Sequence, residues 1–361
     1  MKKALALILA IAMVFALAAC GQTSAPANEE TPTAGTTNTV SEKPTKVYRW
    51  RFQSTENESI AMYRARNELC QKIAEETNGG LIITQYAGGA IISDMNIPDA
   101  VSTGTIEMGN VYLNPLYASV PTSNMVGILP GFMFNVAECM MFMQSYGALE
   151  IFQKECEEIL NCVCYPELTG RALYLSTKPI TEIKDFKGLQ IKAYGPLGSV
   201  LTKLGASCVS LNSSEIYTSL QTGLCDAANW GAYEGAVGAS LQEVCNYIIE
   251  PAFGIGIGTV NMINKDAYDS LPAEYQAVLD KYFSQRITES VLITDEGEYN
   301  AKQLMLDAGL EVCTLSDEAK ATMQELALKE IEKLSEANDA CGQIYEQLLL
   351  YLKYNNEFAW N

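Results

Sequence analysis

Apolar and polar positions alternate from Val47 to Phe52, the pattern of a strand with one buried face. Met62, Ala65, Leu69 and Ile73 then recur at helical steps, and Gly79-Gly80 marks the end of that helix. Leu81 to Tyr86 predicts a second strand, Ile97 to Ser102 a short helix, Ile106 to Val111 a third strand, and Ala137 to Leu160 a helical pair. Met133, Met140, Met141 and Met143 in this region read as core or interdomain packing, because thioethers fill irregular apolar gaps.

The window Asp185 to Tyr233 carries the clearest alternation. Leu189 to Ala193 suits a strand, broken by Gly195-Pro196. Val200, Leu201 and Leu204 define a helix that Gly205 stops, and Cys208 to Leu211 a further strand. Ser213 or Ser214 is placed to cap a helix beginning at Glu215, with Ile216, Leu220 and Leu224 on one face, and Asp226 to Trp230 opens the next strand. Phe253 to Gly258 has glycines without the spacing of a dinucleotide loop, and Thr259 to Ile263 continues it as a crossover strand. Ala273 to Leu310 predicts a long helical stretch. Ala327, Ile331, Leu334, Cys341, Ile344, Leu348 and Leu352 predict a second long helix, for which a coiled-coil dimer is the alternative to packing along the lobes. Strands and helices alternate in both halves, so the expectation is two α/β lobes.

Length agrees, since 361 residues exceed what one core usually serves. The first twenty are set apart from the fold. Lys2 and Lys3 precede an apolar run from Ala4 to Phe15, and Leu17-Ala-Ala-Cys20 ends it with small residues before a cysteine. This resembles a bacterial lipoprotein signal in which Cys20 is acylated, which would anchor the protein to the bilayer outside the cytoplasm. Residues 21–46, rich in Thr, Ser, Pro, Ala, Asn and Glu, read as a flexible tether.

The formal charge is −19, and loss of Lys2 and Lys3 makes it two units more negative. Nucleic acid and anionic lipid are thereby poor partners. An anionic ligand would need local positive groups against this field. Apart from Cys20, ten cysteines stand at irregular spacing; they read as small buried hydrophobes, with disulfides the alternative for an exported chain. Histidine is absent, and Cys162 with Cys164 has no second ligand-spaced pair, so no metal site is expected. There is no nucleophile elbow and no phosphate loop, so an enzyme is disfavoured, a hydrolase using paired carboxylates being the residual possibility.

A family resemblance rests on four segments in order. Asp185-Phe-Lys-Gly-Leu-Gln-Ile-Lys192 followed by Glu215-Ile-Tyr-Thr-Ser-Leu-Gln-Thr-Gly223, together with Val101 to Gly109, Ile128 to Phe134 and Asn264 to Gln276, resembles the solute receptors of tripartite ATP-independent periplasmic (TRAP) transporters, the DctP family. The resemblance runs from about Tyr48 to Leu352. It implies a two-lobed, periplasmic-binding-protein-like fold of type II-like kind, with hinge crossover strands and long C-terminal helices spanning the lobes. Lobe I is expected over 47–168 and 252–300, and lobe II over 169–251 and 301–361. It implies a monomeric receptor that closes on a small organic acid and hands it to membrane permease subunits, without a cofactor. A receptor for an ATP-driven importer or a ligand sensor is the alternative.

Family receptors clamp the carboxylate with an arginine at the position of Lys192; lysine supplies a charge without the bidentate fork. Arg171, in Gly170 to Ile180, then becomes the candidate for a bidentate contact, its alternative being an ion pair with Glu167. In the branch that binds α-keto acids, a glutamate and a tryptophan stand beside the ligand and an ion. Here these are Asn229 and Trp230, and a neutral amide lacks the charge a cation prefers. Asp226 is expected to fix the turn. Tyr112 and Asn114, Glu215 and Tyr217, Asn261, and the turn from Ser54 to Asn57 are further candidates at strand or helix ends.

Overall fold

The computed structural model describes residues 44–127, 135–171, 173–211, 213–252 and 254–358. The signal, Cys20 and nearly all of the tether lie outside the described residues, as does Ile128 to Phe134 with Met133. In chain order the elements are β1 (Tyr48–Gln53), α1 (Ala61–Glu76), β2 (Leu81–Tyr86), α2 (Ile97–Ser102), β3 (Met108–Tyr112), α3 (Ser123–Val126), α4 (Val136–Met140), α5 (Ala148–Leu160), β4 (Cys162–Arg171) and β5 (Leu173–Ser176). There follow β6 (Gln190–Lys192), α6 (Gly195–Lys203), β7 (Ser207–Val209), α7 (Ile216–Gln221), β8 (Ala227–Trp230), α8 (Tyr233–Gly238), β9 (Tyr247–Glu250), β10 (Ile255–Asn264), α9 (Lys265–Asp269), α10 (Ala273–Ser284), α11 (Arg286–Asp307), β11 (Glu311–Thr314), α12 (Asp317–Ser335) and α13 (Asp339–Phe358).

The strands form two sheets, in the orders β2-β1-β3-β10-β4 and β11-β9-β5-β8-β6-β7. In the first, β1 runs parallel to β2 and β3, while β10 is antiparallel to both β3 and β4. In the second, β5 is antiparallel to β8 and β9, and the remaining pairs are parallel. Each sheet carries an apolar cluster on both faces, as sheets covered by helices do. This is a two-lobed periplasmic-binding-protein-like fold. The chain crosses from the first sheet to the second between β4 and β5, and returns between β9 and β10.

α11 joins the lobes. Near its start Arg286 is fully buried against the first sheet, whereas near its end Ala301 and Met305 pack into the second. Glu298 caps α8 by accepting from the Tyr233 and Glu234 amides at 3.0 Å each, and Lys302 pairs with Glu250 of β9. Residues 301–361 do not stay with one sheet. α12 gives Ala319 and Met323 to the second-sheet cluster and Ala327 and Ile331 to the first; α13 then lies with the first through Cys341, Ile344, Leu348 and Tyr351.

Four expectations need correction. The periodic run from Ala327 to Leu352 is two helices rather than one, because the chain turns at 336–338 and Asn338 caps α13 by accepting from the Cys341 amide. α7 stops at Gln221, so Leu224 is exposed instead of sharing its face, and Gly223 adopts φ +75° there. Glu215, not a serine, occupies the cap position of α7, without a side-chain cap bond. Ala273 to Leu310 is likewise two helices, broken at Gln285, whereas Gly205 stops α6 as expected, with φ +96°, a left-handed conformation that favours glycine. Met143 is buried, Met140 and Met141 pack against the same cluster, and all ten described cysteines are free, nine of them buried.

The first lobe is organised around a buried carboxylate. Glu167 on β4 accepts from Arg66 of α1, with Nη2 at 2.7 Å and Nε at 3.0 Å from Oε2. Arg286 Nε adds a bond of 2.9 Å and the Thr259 hydroxyl another of 2.9 Å. Arg66 Nη1 reaches Glu56 at 2.6 Å and the Ser54 hydroxyl at 3.2 Å. Glu167, Arg66 and Arg286 are essentially solvent-free. Burial alone would raise the Glu167 carboxyl; the two guanidiniums override it and hold the group at about 2.

Glu167→Gln is therefore expected to destabilise the protein by roughly 3–5 kcal/mol, since it strands buried guanidiniums; urea unfolding measures it. The wild-type contribution is complete above the ordinary carboxyl value of 4.5 and is lost as pH falls towards about 2. The urea midpoint should fall over that window in the wild type, and a variant with the same acid slope would show that Glu167 is not its source.

Candidate functional site

The candidate site is built on the second sheet, where β6, α6 and β8 meet. Residues 190–192 pair in parallel with both β7 and β8, so Lys192 comes last on a central strand. Pro196 stands in the first turn of α6, where its missing amide costs nothing. Gly195 has φ +60°, and a Cβ there would lie 2.7 Å from the ring of Tyr117, which arrives from the first lobe. A glycine is required here both by conformation and by that close approach.

Lys192 is 5% exposed. Its Nζ donates to the Asn229 carbonyl at 3.1 Å and lies 4.9 Å from the ring centroid of Tyr194 and 5.2 Å from that of Trp230. Among the described residues no carboxylate comes within ion-pair distance of it. Burial accordingly lowers the ammonium from 10.5 to about 8, opposed weakly by the Cys225 thiol. Cation–π attraction to the two rings replaces part of the lost hydration.

Asn229 is buried on the opposite face of β8, across from Tyr174, and its Nδ2 finds no acceptor among the described residues. A buried amide donor without a partner costs about 1–3 kcal/mol, which makes it a place where an acceptor would be welcome. Asp226 does fix the turn: one oxygen accepts from the Gln190 amide at 2.9 Å and the other pairs with Lys178 at 2.7 Å.

From the first lobe, Tyr112 ends β3. Its surface is 42% exposed, yet its phenol is raised by desolvation at its hydroxyl end, with Glu56 and Tyr194 adding to the effect. Burial and Tyr194 raise Tyr117 as well. Tyr112, Tyr117 and Tyr194 thus lie within electrostatic reach of one another across the lobes. At the rim, Arg64 of α1 holds the carbonyls of Glu58 and Ser59 and comes within 4.0 Å of Glu234 on α8.

The structure brings together Lys192, Asn229 and Trp230 and sets Tyr112 within reach of their neighbour Tyr194. It does not gather the rest. Asn261 is fully buried inside the first sheet, its amide donating to the Tyr165 carbonyl at 3.2 Å and accepting from Asn110 at 3.0 Å. Tyr217 donates to Glu243 at 3.0 Å, and Glu215 is exposed. Asn114 makes a long contact of 3.8 Å to the Met95 sulfur. Ser54 and Glu56 serve Arg66. Arg171 is described by its backbone, the last residue of β4 opposite Ile255. Glu167, the alternative partner considered for it, receives Arg66, Arg286 and Thr259. Sequence reasoning missed Tyr194 and Tyr117; the glycine–proline pair after Tyr194 was the available signal. A separate open groove of about 480 Å³ lies between α6 and α12, lined by Tyr194, Ser199, Lys203, Glu330 and Lys333 among others, and none of the predicted residues lines it.

Residues 52–338 match the family model described as bacterial extracellular solute-binding protein, family 7, or DctP. The monocarboxylate 2-oxoacid-binding periplasmic protein of Nostoc sp. is 26% identical over 322 residues, covering 87% of this chain and 86% of that one. The C4-dicarboxylate-binding periplasmic protein DctP of Rhodobacter capsulatus is 24% identical, covering 74% and 80%. A TRAP solute-binding protein of Bordetella bronchiseptica, crystallised with calcium and picolinate, superposes with a TM-score of 0.78 at 23% identity, covering 87% and 94%. One from Pseudoalteromonas atlantica, with sodium and pyruvate, gives 0.78 at 21%, covering 86% and 96%. These structures share the fold. With the family model covering most of its length, the chain belongs to family 7 of the bacterial extracellular solute-binding proteins, the DctP receptors of TRAP transporters.

Proposed function

We propose that this receptor captures a small organic acid between its lobes, with Lys192 as the cation that meets the carboxylate, and delivers it to the permease subunits of its transporter. The observation that carries the reading is an ammonium that is buried, framed by two aromatic rings and left without a carboxylate. A charge in that setting is costly alone and stabilised by an incoming anion. The Nostoc relative binds monocarboxylate 2-oxoacids, which supports a monocarboxylate here. In this reading Trp230 and Tyr112 would wall the ligand and Arg171 would add a bidentate contact, while Asn229 contributes through its carbonyl, which orients the Lys192 ammonium. Asn114, Glu215 and Tyr217 are at most rim residues. Closure would turn where the chain passes between the sheets, after β4 and after β9, with α11 as the bridge.

A metal ion accompanies the ligand in some relatives. The residues here do not fit one. The Asn229 carbonyl already accepts from the Lys192 ammonium, and an unpartnered amide donor stands where a carboxylate would be needed.

A thermal-shift screen of monocarboxylates, dicarboxylates, keto acids, sugar acids and neutral sugars tests the class, because a ligand that binds only the folded state raises Tm. Monocarboxylates should give the largest shifts; stabilisation by neutral solutes alone would sink the reading. Arg171→Ala and Lys192→Met are each expected to weaken such a ligand by about 2 kcal/mol, roughly 30-fold in Kd, with Tm of the free protein retained. Unchanged affinity in calorimetry removes that residue from the site.

The lipid anchor belongs to the same proposal and rests on the sequence around Cys20. Cys20→Ala should move the full-length protein from the detergent phase to the aqueous phase in a phase-partition assay. An unchanged distribution overturns acylation at Cys20.

A further inference from the structure

The site's cation has a property that an arginine in its place would lack. Guanidiniums stay charged throughout the physiological range, whereas a desolvated lysine can give up its proton. The surroundings of Lys192 offer little to keep it charged. On its own strand and the α6 cap stands Tyr194, whose phenol burial raises; from β7 comes the Cys208 thiol, also raised by burial. Across the β8 side lie Asn229, Trp230 and Cys225, and burial and Asp226 raise the Cys225 thiol, so it is neutral rather than anionic. Asp226, beside Cys225, is engaged by Lys178 and the Gln190 amide. From the first lobe come the phenols Tyr112 and Tyr117 through their reach to Tyr194. Every facing group is neutral or already paired.

We infer that Lys192 is the site's built-in cation, so that capture of a carboxylate needs no metal ion and instead carries a proton onto Lys192 when the medium is alkaline. This rests on the carboxylate reading above. The lowered ammonium, at about 8 in the free receptor, supports it. A bound carboxylate beside Nζ favours the charged form, so binding and protonation assist one another. At neutral pH most receptors are charged before the ligand arrives and little proton moves. Above the free value a proton must come with the ligand, and affinity falls by up to tenfold per pH unit. Metal independence follows from the same geometry, because the ammonium occupies the Asn229 carbonyl and supplies positive charge within the site.

The test uses the full chain and pyruvate as probe. Calorimetry at about pH 7 and about pH 9.5, in buffers of differing ionisation enthalpy and with either EDTA or calcium, should show affinity indifferent to EDTA. Affinity should be lower at the higher pH by roughly 30-fold, with close to one proton taken up there. Lys192→Arg should flatten the pH dependence whatever its affinity at neutral pH. Loss of binding in EDTA with recovery in calcium would overturn the inference, as would an unchanged pH profile in Lys192→Arg. A ligand-free arm separates this from failure of the carboxylate reading: NMR of lysine labelled at Cε, with Lys192 assigned by its loss in Lys192→Arg. Titration of Lys192 near 8, well below the surface lysines, supports the inference even if pyruvate proves a poor ligand; titration together with them refutes it.

Discussion

The first lobe depends on one carboxylate. Glu167 has its charge balanced by guanidiniums from α1 and α11, which are far apart in sequence, and Glu56 balances the second positive charge. Because the desolvation of such ions is repaid only by near-complete hydrogen bonding, the cluster demands that β4, β10, α1, α11 and the loop after β1 hold their places together. It thereby anchors one end of α11. The other end is tied to the second lobe through Glu298 and Lys302. α11 is thus held by a polar clamp at each end, one on each sheet.

The second lobe treats charge in the opposite way. Where Glu167 is saturated, Lys192 is left with one carbonyl and two ring faces. Saturation makes a structural ion pair inert towards ligands, since any newcomer would have to displace bonds already made. Incomplete compensation suits the ligand-binding role proposed for Lys192, since the stabilisation would be withheld until an anion arrives. The overall charge of −19 sharpens the contrast: long-range forces repel an anionic solute, so attraction has to come at short range from such a group.

Much of the architecture was legible because it rests on periodicity. β2 and α2 fall at the predicted residues, and the alternation over Asp185 to Tyr233 becomes the strands and helices that frame Lys192. The breaks were less legible. Nothing in the spacing of Ala327 to Leu352 distinguishes one long helix from two in phase, and the turn at 336–338 is decided by Asn338, which caps α13 and also donates to Glu155. The buried cluster escaped notice for a different reason. Arg66 shares the helical face of Met62, Leu69, Cys70 and Ile73, so its position is that of a core residue; its charge alone argued for exposure, and the partner that permits burial, Glu167, lies on a strand about a hundred residues away. Asn261 misled in the reverse direction: a polar residue on a crossover strand looked available, but sheet pairing aligned it with Asn110 and closed its amide into the core.

Residue substitutions within the family frame also carry coupled consequences. Lysine in place of arginine at 192 removes the fork, and asparagine in place of glutamate at 229 removes a negative charge. Taken singly, each looks like a loss. A glutamate at 229 would add a negative charge near the buried lysine and favour its charged form; the neutral amide adds none. An asparagine beside an arginine would leave no group able to titrate near neutrality. On the proposed reading, the two together give a site whose positive charge is both unpaired and adjustable.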